Sequence, residues 1–254
     1  ILFGGIKRIG AVTEKLIPFM SLFYILFTLI VIGAHAGNIG KAFQLIFASA
    51  FTPEAVLGAG SGILLKQTII WGMRRSAFSN EAGLGSAAIA HAAADTDGPV
   101  HQGVFGIFEV FVDTIVICSL TAMTIICSGV EIPFGVKPGS ELIMNAFATV
   151  FGARFASLFV AFALMLFAFS TIVGWALYGT RCTQFLFGLK ATKIFQGAFI
   201  VVVVLGSVAS LDTVWDVADT FNGLMAIPNL IAVFALSGVV ARETRKFFSD
   251  SLRR

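Results

Sequence analysis

The chain is divided by its least apolar long run, RRSAFSNEAGLGSAAIAHAAADTDGPV, which extends from Arg74 to Val100. Much more apolar segments lie on both sides of this run. Of the 254 residues, 57% are hydrophobic and only 12% are charged, whereas an ordinary soluble domain has roughly 25% charged residues. A large soluble helical domain needs charged helix faces toward water, and this sequence lacks them. The composition therefore predicts an all-α integral membrane protein.

Segments long enough to cross a bilayer, which requires about 20 apolar residues, occur in six places. They are Leu16–Ala36, Ala55–Gly72, Gly103–Ser128, Phe155–Gly179, Ile194–Leu211 and Phe221–Ala241. Between the first two spans, Phe43, Phe47 and Phe51 recur every four residues, which predicts a short helix on the membrane surface. Glu141–Phe155 has the same character, and no strand is predicted.

The Lys and Arg residues are distributed unevenly among the connections. If the six spans alternate in direction, 13 of the 17 cations lie on one side of the membrane. The positive-inside rule then puts both ends of the chain in the cytoplasm. Because the cations form short groups beside apolar runs, we expect a lipid bilayer and no nucleic acid as partner. The chain begins on Ile-Leu-Phe without Met, so we expect a piece of a longer protein.

The second span contains Gly58, Gly60 and Gly62 within five residues. Each glycine inside a helix costs about 1 kcal/mol relative to alanine, so a break in the helix is predicted. Broken helices in membranes face protein or a water-filled cavity, and transporters use the freed backbone groups to hold a substrate or an ion. Close helix packing by small residues is the alternative.

Polar residues interrupt the fourth span at Ser170, Thr171 and Trp175. Thr171 and Trp175 are four residues apart and share one helix face. Hydroxyl oxygens are hard ligands that suit Na⁺, and an indole ring can form the wall of a pocket for a small apolar side chain. The alternative is a hydroxyl that donates a hydrogen bond to a carbonyl of its own helix.

Two acids, Glu109 and Asp113, lie four residues apart in the third span. Acids within a membrane helix are costly and usually face the protein interior. A role in ion or proton binding competes with a structural role, and we expect these acids to pair with Arg74 or Arg75.

The motif that follows Arg75 predicts the start of a helix. Ser79, with Asn80 and Glu81 after it, has the pattern of a helix N-cap with an acid in the first turn. The small residues from Gly83 to Ala94 would give this helix a surface that other helices can approach closely, and Pro99 would end the segment.

Enzymatic chemistry has no support in the sequence. A catalytic site within the membrane would need a nucleophile paired with a base, or a metal-binding motif such as HExxH on a span. His35, His91 and His101 are too isolated to form a metal site. We therefore expect no enzyme activity and no cofactor. A passive channel and a structural membrane subunit stay open as alternatives to a transporter.

Several motifs together give the sequence a family resemblance. They are Arg75–Ala87 (RSAFSNEAGLGSA), Ala90–Ala94 (AHAAA), Pro99–Gly103 (PVHQG), Glu109–Thr114 (EVFVDT), Phe167–Trp175 (FAFSTIVGW) and Phe221–Asn229 (FNGLMAIPN). Over nearly its whole length the chain resembles the sodium:alanine symporter family, whose members are alanine or glycine:cation symporters.

The resemblance implies a fold and a function. The function is symport of a small neutral amino acid, alanine or glycine, across the plasma membrane with Na⁺ as the coupling ion. The fold is similar to that of the leucine transporter, in which two five-helix repeats have inverted topology. The six spans would then be the fifth to tenth of that fold, in a single membrane transporter domain over residues 1–254 that lacks the first four or so spans.

The resemblance also implies site residues. Gly58, Gly60 and Gly62 would form the break in the sixth helix, while Thr171 and Trp175 would line the substrate site. Ser170 or Thr171 would bind Na⁺ together with the first helix of the fold, which lies outside this chain. The sequence departs from the family at Gly60, where a bulky Phe is common, and at Ser76, where Gly is usual.

The long first motif has a different expected role. Its position at the cytoplasmic end of the broken helix indicates a packed hinge or an inner gate. The residues assigned to this motif are Arg75, Phe78, Ser79, Asn80, Glu81, Gly83, Gly85 and Ser86.

Overall fold

A computed structural model describes residues 5–51, 61–133 and 139–251 of the chain. The described residues form helices and turns, with no strand among them. The all-helical class predicted from the composition is therefore confirmed.

Ten α-helices are present in the described residues. They are α1 (Gly5–Ala34), α2 (Ile39–Phe51), α3 (Ser61–Asn80), α4 (Ala87–His91), α5 (Pro99–Val110), α6 (Ser119–Ser128), α7 (Glu141–Phe151), α8 (Ala153–Phe187), α9 (Leu189–Val208) and α10 (Leu211–Ser251). A 3-10 turn, Ala36–Asn38, precedes α2, and a π-helical stretch, Phe111–Cys118, joins α5 to α6.

Five helical segments are long and apolar enough to cross a membrane. They are Thr13–Ala34, Pro99–Ser128, Ala153–Phe187, Leu189–Val208 and Leu211–Ser249. Each overlaps a predicted span, and their apolar side chains are widely exposed, as helices that face lipid require. The chain is thus a multi-pass membrane protein. The remaining predicted span, Ala55–Gly72, lies partly outside the described residues and stays a prediction.

Helix α10 begins ten residues before the apolar run that predicted the sixth span. Its start is capped by Ser210, whose hydroxyl lies 2.7 Å from Thr213 Oγ1 and whose carbonyl accepts the amide of Val214 at 3.1 Å. Asp212 in the first turn suits the positive end of the helix dipole. Polar residues can be helical because the backbone hydrogen bonds do not depend on side-chain polarity, so hydropathy alone missed this extension.

The chain divides into two compact units. The first unit comprises Ile1–Gln67 and Val116–Gly179, and the second comprises Thr68–Ile115 and Thr180–Arg254. In the first unit, α1 packs against α6 and α7. In the second unit, α5 packs against α10. The prediction of a single transporter domain over the whole chain is not tested by this division.

Aromatic packing holds the core of the first unit together. Phe147 is fully buried against Val31, Ala156 and Val160. The Phe27 ring lies 4.5 Å from that of Phe159, centre to centre. Phe147 belongs to α7, so the helix predicted near Glu141–Phe155 is present and its position is in the core of this unit.

Glycine fixes the end of α7. Gly152 has a φ of +79° and separates α7 from α8, which ends the helix before the predicted Phe155. Left-handed backbone of this kind favours glycine.

The helix predicted from Phe43, Phe47 and Phe51 is confirmed as α2. Phe43 and Phe47 are exposed, as the spacing implies. Its placement on the membrane surface stays a prediction.

Polar contacts join the helices of the first unit. The Tyr24 hydroxyl lies 2.8 Å from Thr121 Oγ1, which links α1 to α6. The side-chain amide of Asn38 donates to the Cys127 carbonyl at 2.9 Å, near the end of α6. Such bonds satisfy polar groups that water does not reach in a membrane helix bundle.

Candidate functional site

The second unit contains the end of α3 and most of the motif that gives the family resemblance. Arg75, about one turn before the end of α3, donates from Nη2 to both carboxylate oxygens of Asp219 at 2.8 and 2.6 Å. Asp219 belongs to α10, so this ion pair joins α3 to α10. The side chain of Asp219 is only 16% exposed, which protects the pair from screening by solvent.

Aromatic rings surround the guanidinium of Arg75. Its central carbon lies 4.2 Å from the ring centroid of Trp215, 5.6 Å from that of Trp71 and 5.7 Å from that of Phe78. The Phe78 and Trp215 rings are themselves 4.8 Å apart. A planar, weakly hydrated guanidinium stacks well on such faces. Arg75 is therefore held by both charge and ring contacts.

The expected pairing of Glu109 and Asp113 with Arg74 or Arg75 is wrong. Arg75 pairs with Asp219, while Asp113 accepts a hydrogen bond from the Ser79 hydroxyl at 2.6 Å. Glu109 lies 3.6 Å from a ring nitrogen of His91. Asp219 precedes the apolar run of the sixth predicted span, where hydropathy indicates no helix, so the sequence pattern does not reveal it as a partner of Arg75.

The prediction of a helix N-cap at Ser79 is also wrong. Ser79 and Asn80 are the last residues of α3. The side-chain oxygen of Asn80 accepts the amide of Ala82 at 2.9 Å, and the carbonyl of Glu81 accepts the amide of Leu84 at 3.1 Å. Asparagine stops the helix here because its side chain competes with the backbone for local hydrogen bonds. The Ser-Asn-Glu pattern thus marks a helix end and a tight turn.

Left-handed backbone shapes the turn that follows. Glu81 has a φ of 56°, Gly83 of 88° and Gly85 of 83°. Glycine adopts this left-handed conformation without strain, whereas in a residue such as glutamate it raises the conformational free energy by about 1 kcal/mol. The Glu81 carboxylate recovers a contact because it accepts the hydroxyl of the buried Ser86 at 2.7 Å. Side chains and glycines together therefore close the turn over Asn80–Ser86.

Gly85 brings this turn against α10. A β-carbon at this position would lie 2.9 Å from Oδ1 of Asn229. Only glycine fits such an approach without movement of its neighbour. Gly85 and Asn229 belong to two of the motifs that carry the family resemblance, so this contact joins those two motifs.

The helix of small residues predicted from Gly83 to Ala94 is reduced to the short α4. Most alanines in this stretch are exposed, so the expected close-packed surface is absent from the described chain. The prediction that Pro99 ends this helical segment is wrong, because α4 stops at His91 and Pro99 occupies the first position of α5. The side-chain amide of Gln102 lies 2.7 Å from Nδ1 of His91, which ties α4 to α5.

The π-helical stretch meets the end of α3. Asp113 and Thr114, within Phe111–Cys118, are the partners of the last two residues of α3. The side-chain amide of Asn80 donates to Thr114 Oγ1 at 2.9 Å, beside the bond from Ser79 to Asp113. A carboxylate and several hydroxyl and amide groups therefore converge between two helices.

The predicted substrate and ion residues lie in α8. Ser170 donates its hydroxyl hydrogen to the Phe167 carbonyl at 2.9 Å. Thr171 is exposed, and Trp175 is half-buried with its ring 5.7 Å from that of Tyr178. Thr171 and Trp175 share a face of a continuous helix, as the spacing indicated. These three residues belong to the first unit.

The predicted helix break falls largely outside the described residues. Gly58 and Gly60 lie in that part of the chain, and Gly62 is the second residue of α3. The role of these glycines stays a prediction.

Comparison with known proteins identifies the family. Residues 1–253 match the sodium:alanine symporter family. The chain belongs to this family. It is 43% identical to the sodium/alanine symporter AgcS of Methanococcus maripaludis, over 97% of this chain and 54% of that protein. The family predicted from the motifs is confirmed.

Two further relatives are named for a different substrate or coupling ion. The chain is 38% identical to the probable sodium/glutamine symporter GlnT of Bacillus subtilis, over 94% of this chain and 49% of that protein. It is 32% identical to the sodium/proton-dependent alanine carrier protein of Bacillus sp. strain PS3, over 92% of this chain and 56% of that protein. The chain spans about half the length of the curated relatives it matches.

Sequence reasoning missed several residues of the second unit. They are Thr114, Trp215, Asp219 and Asn229. One available signal was the four-residue spacing of Trp215 and Asp219, which puts both on one face if the segment before Phe221 is helical. Arg75, the partner of both Trp215 and Asp219, however, lies more than a hundred residues away in the chain, and local patterns do not reveal this contact.

Proposed function

We propose that the full-length protein is a Na⁺-coupled symporter that carries a small neutral amino acid, alanine or glycine, into the cell across the plasma membrane. The observation that carries this proposal is membership in the sodium:alanine symporter family with 43% identity to a sodium/alanine symporter. The five apolar helices agree with a multi-pass carrier. The Na⁺ gradient would supply the free energy for uptake, and no cofactor would be needed.

The proposed architecture is the inverted-repeat fold of the leucine transporter, with the chain supplying its fifth to tenth spans. The positions of the five apolar helices support this assignment. In this fold one helix bundle rocks against the other around a site near the middle of the membrane. The end of α3, with its ion pair and closed turn, would act as the hinge or inner gate.

The proposed substrate site uses Thr171 and Trp175 of α8 and the backbone of Gly58, Gly60 and Gly62. The half-buried indole of Trp175 suits the wall of a small apolar pocket. Ser170 or Thr171 would contribute to the Na⁺ site. Because the Ser170 hydroxyl donates its hydrogen to Phe167, the lone pairs of its oxygen remain for a cation.

Uptake by purified full-length protein in proteoliposomes tests the function. With an inward Na⁺ gradient, we expect alanine or glycine to accumulate above its external concentration, and replacement of Na⁺ by K⁺ should abolish the accumulation. Uptake that is unchanged without Na⁺ would refute the coupling. Uptake that only equilibrates would indicate a passive channel, and correctly folded protein without any uptake would indicate a structural subunit.

A further inference from the structure

The imidazole of His91, the last residue of α4, lies on one face of α5. Three residues of that face, Gln102, Gly106 and Glu109, approach the ring, and their spacing of four and three residues places them in one row. The side-chain amide of Gln102 lies 2.7 Å from Nδ1, and a carboxylate oxygen of Glu109 lies 3.6 Å from Nε2. A β-carbon on Gly106 would lie 3.6 Å from Nε2, so the ring covers the backbone of α5 between its two polar partners.

These contacts fasten the connection between α3 and α5 to the start of the next apolar helix. The connection comprises residues 81–98, and apart from the short α4 it consists of turns and extended backbone. A segment with so few backbone hydrogen bonds of its own opens easily. The side-chain contacts of His91 therefore help to determine how firmly the connection is held against α5.

The hydrogen bonds of His91 differ between its neutral and charged forms. In the neutral ring, Nδ1 accepts a hydrogen from the amide of Gln102, so the ring hydrogen is on Nε2, the nitrogen nearer Glu109. When Nδ1 takes a proton from water, the Gln102 side chain rotates so that its oxygen accepts the new N–H. Gln102 satisfies both forms because an amide has donors and an acceptor. The Glu109 carboxylate, in contrast, bonds the charged ring more strongly than the neutral one.

The charged groups around this imidazole come from three elements. On α5, Glu109 lies within ion-pair distance of the ring. Asp95 and Asp97 of the connection are further than 4 Å from both ring nitrogens. On α10, which packs against α5, Asp219 is paired with Arg75. Among the residues that the structure describes, Glu109 is therefore the carboxylate that pairs with the ring once it is charged.

We propose that His91 is a positioning residue of the inner gate and that its protonation tightens the contact between the connection after α3 and α5. Imidazole is the side chain whose ordinary charge change falls between pH 5 and 8, so the pH on that side of the membrane adjusts how firmly the gate is held. The inference rests on the proposed role of the end of α3 as a hinge or inner gate of a symporter.

A spin label on the connection tests the structural part of this inference. Ala93 is exposed, and a cysteine there carries the label in full-length protein without Cys118, Cys127 and Cys182. We expect the label to be less mobile at pH 6 than at pH 8, measured from its electron paramagnetic resonance line shape. In His91→Asn, whose amide can replace Nδ1 but cannot become charged, the mobility should be the same at both pH values.

Uptake by the full-length protein in proteoliposomes tests the consequence for transport. With the same pH on both sides of the membrane, we expect the maximal rate of alanine uptake to be roughly threefold lower at pH 6 than at pH 8, the size expected of an exposed ion pair. The alanine concentration for half-maximal uptake should not change, because the substrate site is untouched. In His91→Asn and in Glu109→Gln, the ratio of the two rates should approach one.

His101→Asn is the matched control. His101 also belongs to α5, but its Nδ1 lies 3.2 Å from Thr96 Oγ1 and it has no carboxylate partner among the described residues. This variant should keep the wild-type response to pH in both measurements. Elution as a single symmetrical peak in size-exclusion chromatography shows that a variant is folded. If His91→Asn fails this check, Glu109→Gln, which changes an exposed side chain, replaces it.

The outcomes separate this inference from the proposed function. The same response to pH in the wild type and in His91→Asn would overturn the inference, and so would loss of the response in His101→Asn. Wild-type uptake that is unchanged without Na⁺ would contradict the proposed symport, whereas the mobility of the spin label would still test the role of His91.

Discussion

At the scale of single residues, Ser170 and Ser207 make the same local contact in two membrane helices. Ser170 donates to the carbonyl of Phe167 at 2.9 Å, and Ser207 donates to that of Val204 at 2.7 Å. A hydroxyl bonded to its own helix is common in membrane helices, so this bond alone does not mark a site. Ser170 differs in its sequence neighbours, Thr171 and Trp175.

Replacement of these two serines separates the local bond from ion binding. We expect Ser170→Ala to raise the Na⁺ concentration for half-maximal alanine uptake by roughly threefold to tenfold, since the loss of one ligand weakens binding by about 1 kcal/mol. Ser207→Ala removes the same hydroxyl contact and should leave the Na⁺ dependence unchanged. Equal effects of the two substitutions would show that Ser170 is structural.

Arg74 and Arg75 are neighbours with different surroundings. The guanidinium of Arg74 lies 5.7 Å from the Trp71 ring. That of Arg75 contacts three rings and the Asp219 carboxylate, while its Nε is buried without a hydrogen-bond partner among the described residues. A planar group that stacks between rings is not replaced by the compact ammonium of lysine.

The substitution Arg75→Lys should therefore destabilise the protein, even though the charge is kept. We expect a loss of about 1 kcal/mol from the ring contacts, measured as a lower midpoint of thermal unfolding for full-length protein in detergent. Arg74→Lys is the control and should change the midpoint much less. Identical midpoints for the two variants would contradict the proposed role of the aromatic contacts.

At the scale of elements, the turn over Asn80–Ser86 ends α3 and packs against α10 at Asn229. Gly83 and Gly85 both have positive φ, but their surroundings differ. A β-carbon on Gly83 would meet nothing within 4 Å, whereas one on Gly85 would meet Asn229 at 2.9 Å. Backbone conformation and contact with α10 can therefore be tested apart.

Alanine at these two positions should give unequal losses of stability. Gly83→Ala should cost about 1–2 kcal/mol, because the left-handed backbone alone is strained. Gly85→Ala should cost about 1–3 kcal/mol more, because the side chain of Asn229 must also move. Thermal unfolding of the full-length variants provides the measurement.

A second substitution on α10 checks the cause of that difference. Asn229→Ala should recover part of the loss in Gly85→Ala and none of it in Gly83→Ala, as expected for a coupled pair. Additive effects of Gly85→Ala and Asn229→Ala would show that the turn does not pack on α10 as described.

At the scale of the whole molecule, two observations disagree about the start of α10. Alternation of six spans by the positive-inside rule puts Arg75 and the start of α10 on opposite sides of the membrane. The ion pair between Arg75 and Asp219 puts them on the same side. The prediction of cytoplasmic chain ends depends on the cations alone, whose effect on orientation is independent of how neighbouring helices pack.

Cysteine labelling of the full-length protein in intact cells measures this sidedness. In a background without Cys118, Cys127 and Cys182, we expect a cysteine at Arg245 to react with a membrane-impermeant maleimide only after permeabilisation. A cysteine at Lys41 should react in intact cells. Labelling at position 245 in intact cells would contradict a cytoplasmic C-terminal end.

The same labelling decides the position of α10. Ala92 lies in the connection after α3 and Thr213 in the first turn of α10, and Ala92 and Thr213 are both exposed. If cysteines at these positions are labelled from the same side, the contact between α3 and α10 exists in the membrane. Labelling from opposite sides would show that the six spans alternate in direction across the membrane and that the contact between α3 and α10 does not form in the membrane.

The sequence by itself determined the membrane class, five of the apolar helices and the family. These properties depend on local sequence only. About 20 apolar residues suffice to define a span, and a long motif identifies a family whatever tertiary contacts its residues make. Thr171 and Trp175 also share a helix face as the spacing predicted, since helical periodicity is local. Their roles in binding stay predictions.

Only the tertiary structure decided what the motif at the end of α3 contacts. The Ser-Asn-Glu pattern fits both the start of a helix and its end, and the choice depends on partners from distant segments: Asp113 for Ser79, and Thr114 for Asn80. Likewise, the sequence suggested Glu109 and Asp113 as partners of Arg75. Asp219 becomes a candidate only once the helix is known to begin before Phe221. Packing between segments far apart in the chain selects among such alternatives, because the local free-energy differences between them are small.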